Sequence, residues 1–344
     1  MATGYVYDPI FLEHDYPGHP EGRQRLLSIW EHLEQSGLLP ALTPIPARPV
    51  DDALLLTVHA PEYVEQVRQM AGQGGGHLDM DTYIARRSYE AALMAAGGLV
   101  EATASVLDGV VQNAFALVRP PGHHALHGRG MGFCLFNNIA MAARYALDER
   151  GLERVLIVDF DVHHGNGTQD TFYDTDEVLF FSTHQYPFYP GSGHWNERGV
   201  GRGEGYTVNV PLPHGVGDAG FQTIFEEILR PLAIRYQPQI ILVSAGFDAH
   251  WNDPLAALHL SLAGYSTLCH MLGELADELC DGRLLYTLEG GYHLNVLAHA
   301  TANTFRILLG QRPEQCSEPL GPSPYDEQPV ADIVAHLRTF HSIL

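Results

Sequence analysis

Four short polar runs in this sequence carry side chains suited to metal and acid–base chemistry: RPPGHH (119–124), DFDVHHGN (159–166), SAGFD (244–248) and EGGY (289–292). Asp161 and His163, joined by Asp248, offer three nitrogen and oxygen ligands, the number a catalytic zinc uses when one position stays open. Asp159, Asp161 and His163 alternate in sequence, so an extended strand end would turn all three to one side. No cysteine lies within these runs, which argues against a thiolate centre. His123 and His124 follow a rigid Pro-Pro-Gly turn that fixes where the imidazoles point. One can take a proton from water while the other stabilises charge or protonates a leaving amine. Asp159, not needed as a ligand, can orient one of them. Tyr292 follows two glycines that let the backbone approach closely, and its phenol can donate to an oxyanion. Each run alone has a plainer explanation: Asp159 and Asp161 as helix caps, His163 as a satisfied buried histidine, Tyr292 as packing. Together they describe metal-assisted hydrolysis of an amide or similar bond.

These runs must be brought together by the elements that precede them. Each follows a short apolar or β-branched stretch, at residues 113–118, 154–160, 239–244 and 283–288, and similar stretches occur at 4–7, 178–182 and 206–210. Helical patterns at 136–150, 219–236, 263–280 and 294–309 alternate with most of them. This predicts βαβ units around a single open, mostly parallel sheet, an α/β fold. In such sheets ligands bind beyond the carboxyl ends of the strands, so the four runs belong to one site. Helices near 22–35, 61–70 and 86–107 are expected on the sheet faces, and the glycine-rich residues 72–76 read as an exposed loop. After residue 310 the composition shifts, with Pro313, Pro319, Pro322, Pro324 and Pro329 close together. A last helix follows, with Val330, Ile333, Val334, Leu337, Phe340 and Leu344 at helical spacing. The chain therefore divides into a catalytic domain, 1–310, and a Pro-rich connector with an amphipathic helix, 311–344. That helix packs on its own domain or on another subunit of a homo-oligomer.

Composition narrows the function classes. With 41 acidic and 19 basic residues the net charge is −22, which argues against a nucleic-acid binder that works by neutralising phosphates. The sequence holds no lysine, so Schiff-base catalysis and a P-loop lysine are excluded. Twenty histidines favour metal or proton chemistry near neutral pH. The four cysteines show no C-x-x-C spacing and read as reduced thiols. No leader-like start and no apolar run of membrane-spanning length are visible in the sequence, so a cytoplasmic protein without a membrane partner is expected.

The segments RPPGHHA (119–125), GFCLFNN (132–138), DFDVHHGNGTQ (159–169), GFDAHWNDPLA (246–256) and LEGGY (288–292) resemble those of the zinc-dependent histone deacetylase family. That family includes acetylpolyamine amidohydrolases and acetoin-utilisation proteins, and the resemblance extends over residues 4–309. It implies an arginase-like α/β fold and Zn2+, with Fe2+ or Co2+ as alternatives, held by Asp161, His163 and Asp248. It pairs His123 with Asp159 and His124 with Asn166, and it makes Tyr292 the catalytic tyrosine. Asn166, where many nuclear members carry Asp, resembles the class II branch. Gly132, Phe133 and Tyr189 match the channel around the acyl-lysine stem, Leu255 lies at the rim, and Asp81 is a candidate for holding substrate backbone. K+ is implied at the main-chain oxygens of Asp159, Asp161 and His163 with the Ser182 hydroxyl and the Thr183 backbone. A second K+ site maps to Phe172, Thr175 and Val178.

The implied activity is removal of acetyl or other acyl groups from lysine side chains of a peptide or protein. An acetylpolyamine amidohydrolase is the near alternative. Leu255 stands where a polyamine-selective relative carries Glu, and no long insertion occupies 72–84; both favour peptide-borne acyl-lysine. A binuclear manganese ureohydrolase needs a second carboxylate-rich motif that residues 248–253 do not supply. A non-catalytic acetyl-lysine binding module would not need Asp161, His163, Asp248 and Tyr292 together.

Overall fold

The apolar stretches assemble into one eight-stranded sheet in the computed structural model, which describes residues 2–341. The strands are β1 (Thr3–Val6), β2 (Leu42–Ile45), β5 (Asn113–Ala116), β6 (Val155–Asp159), β7 (Val178–Gln185), β8 (Thr207–Leu212), β9 (Ile240–Ala245) and β10 (Leu284–Leu288). A separate hairpin consists of β3 (Gly75–His77) and β4 (Tyr83–Ala85). The large sheet runs in the order β2-β1-β5-β10-β9-β6-β7-β8, and every pairing in it is parallel. Val155–Asp159 is buried throughout and so are Ile240–Ala245 and Leu284–Leu288. That is the reason these strands read as continuous apolar runs rather than alternating ones.

Eleven helices of the described residues cover the two faces and the rim: α1 (Gln24–Gln35), α2 (Asp52–Val58), α3 (Pro61–Gly72), α4 (Ser88–Leu107), α5 (Asn138–Arg144), α6 (Asn166–Thr171), α7 (Asp218–Ile224), α8 (Arg230–Tyr236), α9 (Leu262–Leu279), α10 (Leu294–Leu308) and α11 (Ala331–Phe340). The sheet order does one thing for function. It sets β5, β10, β9 and β6 side by side, and these are the four strands that end in the polar runs. Their register is level at that edge, with Asp159 opposite Ser244 and Ser244 opposite Thr287.

The structure differs from the sequence expectations in several places. β2 was unexpected because it contains Pro44; as the outermost strand it pairs only with β1, and an edge tolerates a missing N–H. α2 was missed too, although Asp51 caps it by accepting from Leu54 N at 2.8 Å. Part of the glycine-rich stretch expected as a loop is strand β3. The helix expected over 219–236 is interrupted by a wider turn at Phe225–Leu229, with Pro231 in the first turn of α8. The helix expected from 136 begins only at Asn138, because Asn137 caps it by accepting from Ala140 N at 3.0 Å.

The expectation of no run of membrane-spanning length is also corrected: α4 has 20 residues and contains an 18-residue stretch of mean hydropathy 1.3, enough by length and composition. In the fold it is a core helix, with Ala91, Ala92, Ala95 and Ala96 fully buried. Gly97 lets it approach another segment closely, since a Cβ there would lie 1.9 Å from the Arg48 carbonyl oxygen. The last helix packs on its own chain through buried Val334 and Leu337. Leu344, the end of the expected apolar stripe, lies outside the described residues.

Several histidines are structural. His59 is buried, donating from Nδ1 to the Leu126 carbonyl at 3.0 Å and accepting from Asn137 N at 2.9 Å. His184 donates from Nε2 to the Gly193 carbonyl at 2.8 Å and accepts from Ser182 Oγ at 2.9 Å. Burial pushes both down to about 4 from 6.5. The unfolded chain thus binds protons near 6.5 that the folded chain refuses until about 4, so stability from these groups is present above 6.5 and is lost as pH falls through that window. His123, pushed up to about 10 by adjacent carboxylates that outweigh its burial, acts in the other window, between 6.5 and 10. Thermal melts should therefore show a midpoint that begins to fall just below pH 6.5. A level midpoint down to about pH 4.5 would contradict this account.

Candidate active site

β6 stops at Asp159, and the chain beyond it is bent rather than extended. Side chain–backbone bonds make the bend: Asp159 Oδ1 accepts from Asp161 N at 3.1 Å and Asp161 Oδ1 from His163 N at 2.9 Å. The expected row of three parallel side chains therefore does not form. Asp159 faces His123, while Asp161 and His163 turn toward Asp248, just beyond β9. One ligand atom from each of these three lies within 4.8 Å of the others. Most of their remaining capacity is used: Gly290 N donates to Asp161 Oδ2 at 2.8 Å and Val162 N to Asp248 Oδ1 at 3.0 Å. Asp248 Oδ2 is buried without a hydrogen-bond partner, 3.4 Å from His163 Nδ1. An orphaned carboxylate oxygen beside an imidazole and a second carboxylate is a donor set that fits a small divalent cation. Gly290 leaves the room, for a Cβ there would meet Asp248 Oδ2 at 2.0 Å.

The tandem histidines sit opposite this cluster with ring centroids 4.0 Å apart. His123 Nδ1 donates to Asp159 Oδ2 at 3.0 Å, and His124 Nδ1 donates to the Asn166 carboxamide oxygen at 2.8 Å. The environments push the two imidazoles in opposite directions. Burial opposes charge on His123, but Asp159, Asp161 and Glu289 outweigh it and raise its pKa to about 10. His124 is driven well below its usual value by burial and by repulsion from His123 and His163. Two adjacent imidazoles, one held protonated and one held neutral, are a ready acid–base pair.

Three buried residues that sequence reasoning did not single out hold the loops of this site. The Glu289 carboxylate accepts from Gly122 N at 2.7 Å, His123 N at 3.2 Å and Ser244 Oγ at 3.1 Å, so it ties the tandem-histidine turn to β9 and β10. Arg25, from α1, donates to the carbonyls of Glu289 and Gly291, and its guanidinium lies 5.1 Å from the Tyr292 ring centroid. Glu21 binds Arg25 at 3.1 Å and accepts two bonds from Arg119, one of 2.8 Å, with all three side chains buried. A signal was present: Glu21 and Arg25 stand four apart, and Arg119 opens the RPPGHH run. Tyr292 N donates to Asp253 Oδ2 at 2.8 Å. Burial holds the Tyr292 phenol well above its usual pKa, so the hydroxyl keeps its proton.

The other sequence candidates fall in three places. Gly132 and Phe133, both at positive φ, and Tyr189 gather around the tandem histidines. The Tyr189 ring stands edge-on to His124 at 5.2 Å and Phe133 edge-on to Tyr292 at 5.8 Å. Phe188, not foreseen, stacks on His163 at 5.5 Å. Asp81 lies next to this wall, accepting from Thr82 Oγ1 at 3.1 Å, and Thr82 Oγ1 in turn accepts from Phe133 N at 3.2 Å. Leu255 is half-buried, with its N donating to Asp253 at 3.0 Å. Ser182 and Thr183 lie under the bend, where Thr183 Oγ1 donates to the Asp159 carbonyl at 3.4 Å. Phe172 and Thr175 lie between α6 and β7, with Thr175 N donating to the Phe172 carbonyl at 3.4 Å, and Val178 opens β7.

A model of the histone deacetylase domain matches residues 19–308. The chain belongs to the histone deacetylase family. A probable deacetylase of Archaeoglobus fulgidus is 44% identical, over 85% of this chain and 82% of its own. Chloroplastic histone deacetylase 14 of Arabidopsis thaliana is 40% identical, over 96% of this chain and 83% of its own. The crystal structure of the HDA15 HD domain matches with a TM-score of 0.90 and 37% identity, covering 99% of this chain and 96% of that one. Family membership makes this chain a deacetylase, a hydrolase in reaction class, and the shared architecture is the deacetylase-like α/β fold expected from the sequence.

The buried charge cluster behind the site has a direct consequence for stability. Burial pushes the Glu21 carboxyl up, but Arg119 outweighs it and holds the group well below the usual range. Glu21→Gln keeps the volume and strands two buried guanidinium groups, a change that costs about 3–5 kcal/mol. The urea midpoint of this variant should fall accordingly. A midpoint equal to that of the unmodified protein would show that the cluster does not carry that weight.

Proposed function

We propose that this deacetylase removes acyl groups from lysine side chains with a zinc ion held by Asp161, His163 and Asp248. The observation that carries the reading is the convergence of these three residues, with the orphaned Asp248 Oδ2, beside two imidazoles of opposite protonation. Zinc bound there supplies Lewis acidity, which polarises an amide carbonyl and makes water easier to deprotonate. His124 is the base: Nδ1–H is committed to Asn166, which leaves the Nε2 lone pair to take a proton from water and return it to the leaving lysine amine. Asn166 is neutral, so it orients the ring without drawing a resident proton onto it. His123, charged through Asp159, stabilises the negative charge of the transition state. The Tyr292 hydroxyl donates to the charge that develops on the amide oxygen, on a loop that Arg25 and Asp253 keep in place.

The stem of acyl-lysine passes between Phe133 and Tyr189, where Gly132 keeps the wall close: a Cβ there would lie 2.4 Å from His124 Cδ2. Asp81 is the candidate for holding substrate backbone at the mouth. K+ fits beneath the bend, at the main-chain oxygens of Asp159, Asp161 and His163. Because His184 Nε2 donates to Gly193, its Nδ1 accepts from Ser182, which leaves the lone pairs of Ser182 Oγ for the cation along with the Thr183 backbone. The second K+ site remains assigned by family likeness to Phe172, Thr175 and Val178. Among substrates, the net charge of −22 would draw a cationic acetylpolyamine. Leu255, though, gives an ammonium group no partner at the rim, which favours acyl-lysine in a peptide.

Two experiments test this reading. Metal analysis and turnover of an acetyl-lysine peptide should show about one zinc per chain in the unmodified protein and its loss, with activity, in Asp161→Ala. Tyr292→Phe should keep the zinc and lower kcat about 10²-fold with little change in KM. Zinc and turnover retained by Asp161→Ala would refute the ligand set, and an unchanged kcat in Tyr292→Phe would move the oxyanion donor elsewhere. Secondly, Leu255→Glu should shift kcat/KM toward acetylspermidine over the peptide by about fivefold. Faster turnover of acetylspermidine than of any acetyl-lysine peptide by the unmodified enzyme would make this a polyamine deacetylase.

A further inference from the structure

The segment after residue 310 takes no part in the chemistry, yet it touches both irregular loops that border the candidate channel. The first runs from Asp253, which binds Tyr292 N, through Leu255 to His259. Its far end is tied to the loop after β8: Gly215 N donates to the Ala257 carbonyl at 2.9 Å and His259 N to the Val216 carbonyl at 2.8 Å. The C-terminal segment grips this pair from outside. Tyr325 stacks on the His259 ring at 4.9 Å and 28°. Gln328 N donates to the Gly215 carbonyl at 2.9 Å, and the Glu327 carboxylate accepts from Ala219 N at 3.1 Å and Gly220 N at 3.3 Å at the start of α7.

The second loop carries Phe188 and Tyr189 to His163 and His124 and then turns back through Trp195. There α11 meets it: the Trp195 ring stands edge-on to His336 at 4.3 Å and to Phe340 at 4.8 Å. The segment itself is anchored at three separate points. Asn303 exchanges two hydrogen bonds with Ser317, at 2.8 and 3.0 Å. Glu318 accepts from Ala263 N at 2.8 Å, at the start of α9. Val334 and Leu337 are buried, and Arg338 pairs with Glu227 at 2.9 Å.

We infer that residues 317–341 form a strap that positions the two rim loops and thereby sets the affinity for acyl-lysine carried in a peptide. The loops lack regular secondary structure, so tertiary contacts set their shape, and the strap supplies contacts to both. Tyr325 is 58% exposed, so its ring adds little to global stability. The weight of its contact falls on the loop beneath it. Tyr325 and Phe340 are positioning residues, acting on substrate through the loops. This inference rests on the deacylase reading above.

The test uses the full-length chain with Tyr325→Ala and, separately, Phe340→Ala. Two substrates are compared: an acetyl-lysine peptide with flanking residues and Nε-acetyl-lysine amide without them. Both variants should raise KM for the peptide about three- to tenfold, leave kcat within about twofold, and leave the single-residue substrate nearly unaffected. Hydrogen exchange at 215–217 and 253–259 should accelerate in Tyr325→Ala, with the amides of β5 and β9 unchanged. A peptide-to-amide KM ratio that stays constant overturns the strap, even where the melting temperature falls. If the unmodified enzyme binds zinc but turns over neither substrate, the deacylase reading fails by itself. Exchange then decides the strap alone, and unchanged protection of the two segments overturns it.

Discussion

Negative charge buried at the carboxyl edge of a parallel sheet is the constraint from which the rest of this structure follows. Asp159, Asp161, Asp248, Glu289 and Glu21 are all essentially without contact with solvent. A carboxylate in that position must be met by a cation, by N–H donors or by both. Each is met differently. Glu21 takes two guanidinium groups, Glu289 takes two backbone amides and a hydroxyl, and Asp159 takes an imidazolium. At Asp161 and Asp248 the amides leave capacity over, and there the fold has room for a divalent ion. The proposed ion site is thus the remainder of a charge balance that the surrounding loops otherwise close. The glycines at 246 and 290 belong to that balance, because any side chain there would occupy the space that the oxygens share.

Much of this was legible in the sequence. Both faces of the central strands are buried, so strands and buried apolar runs coincide, and the polar residues that break those runs mark strand ends. What periodicity does not encode is neighbour order. β10 comes last of the eight strands in sequence and lies between β5 and β9. The Glu21–Arg25–Arg119 cluster escaped because Arg119 is far in sequence from the other two and charged residues read as surface. The alternating Asp159, Asp161 and His163 misled for a local reason. Carboxylate-to-amide bonds compete with strand geometry once the ladder ends, and they bend the chain so that one acid serves the imidazole and the next the cation site.

The division of labour between the tandem histidines has the same origin. Two imidazoles in one turn differ because one is backed by a carboxylate and the other by a carboxamide. Asn166 belongs to the first turn of α6 and Asp159 to the end of β6, so the difference is built from two neighbouring elements rather than from the histidines. Elsewhere in the molecule His59 and His184 are held neutral by burial and connect backbone segments.

The central place of β10 also bears on how the molecule is made. A nascent chain can pair β1 with β2 and β5, and β6 with β7, β8 and β9, well before residues 284–288 leave the ribosome. Without them β5 and β9 would each lack the strand that pairs with them in the folded sheet, and an unpaired strand edge is the kind of surface that recruits other chains. Arrival of β10 closes that gap and, in the same step, delivers Glu289 and Tyr292 to the histidine turn. Synthesis therefore yields no partly built sheet that already holds a working centre, and a chain cut short before β10 would be both inactive and prone to aggregate.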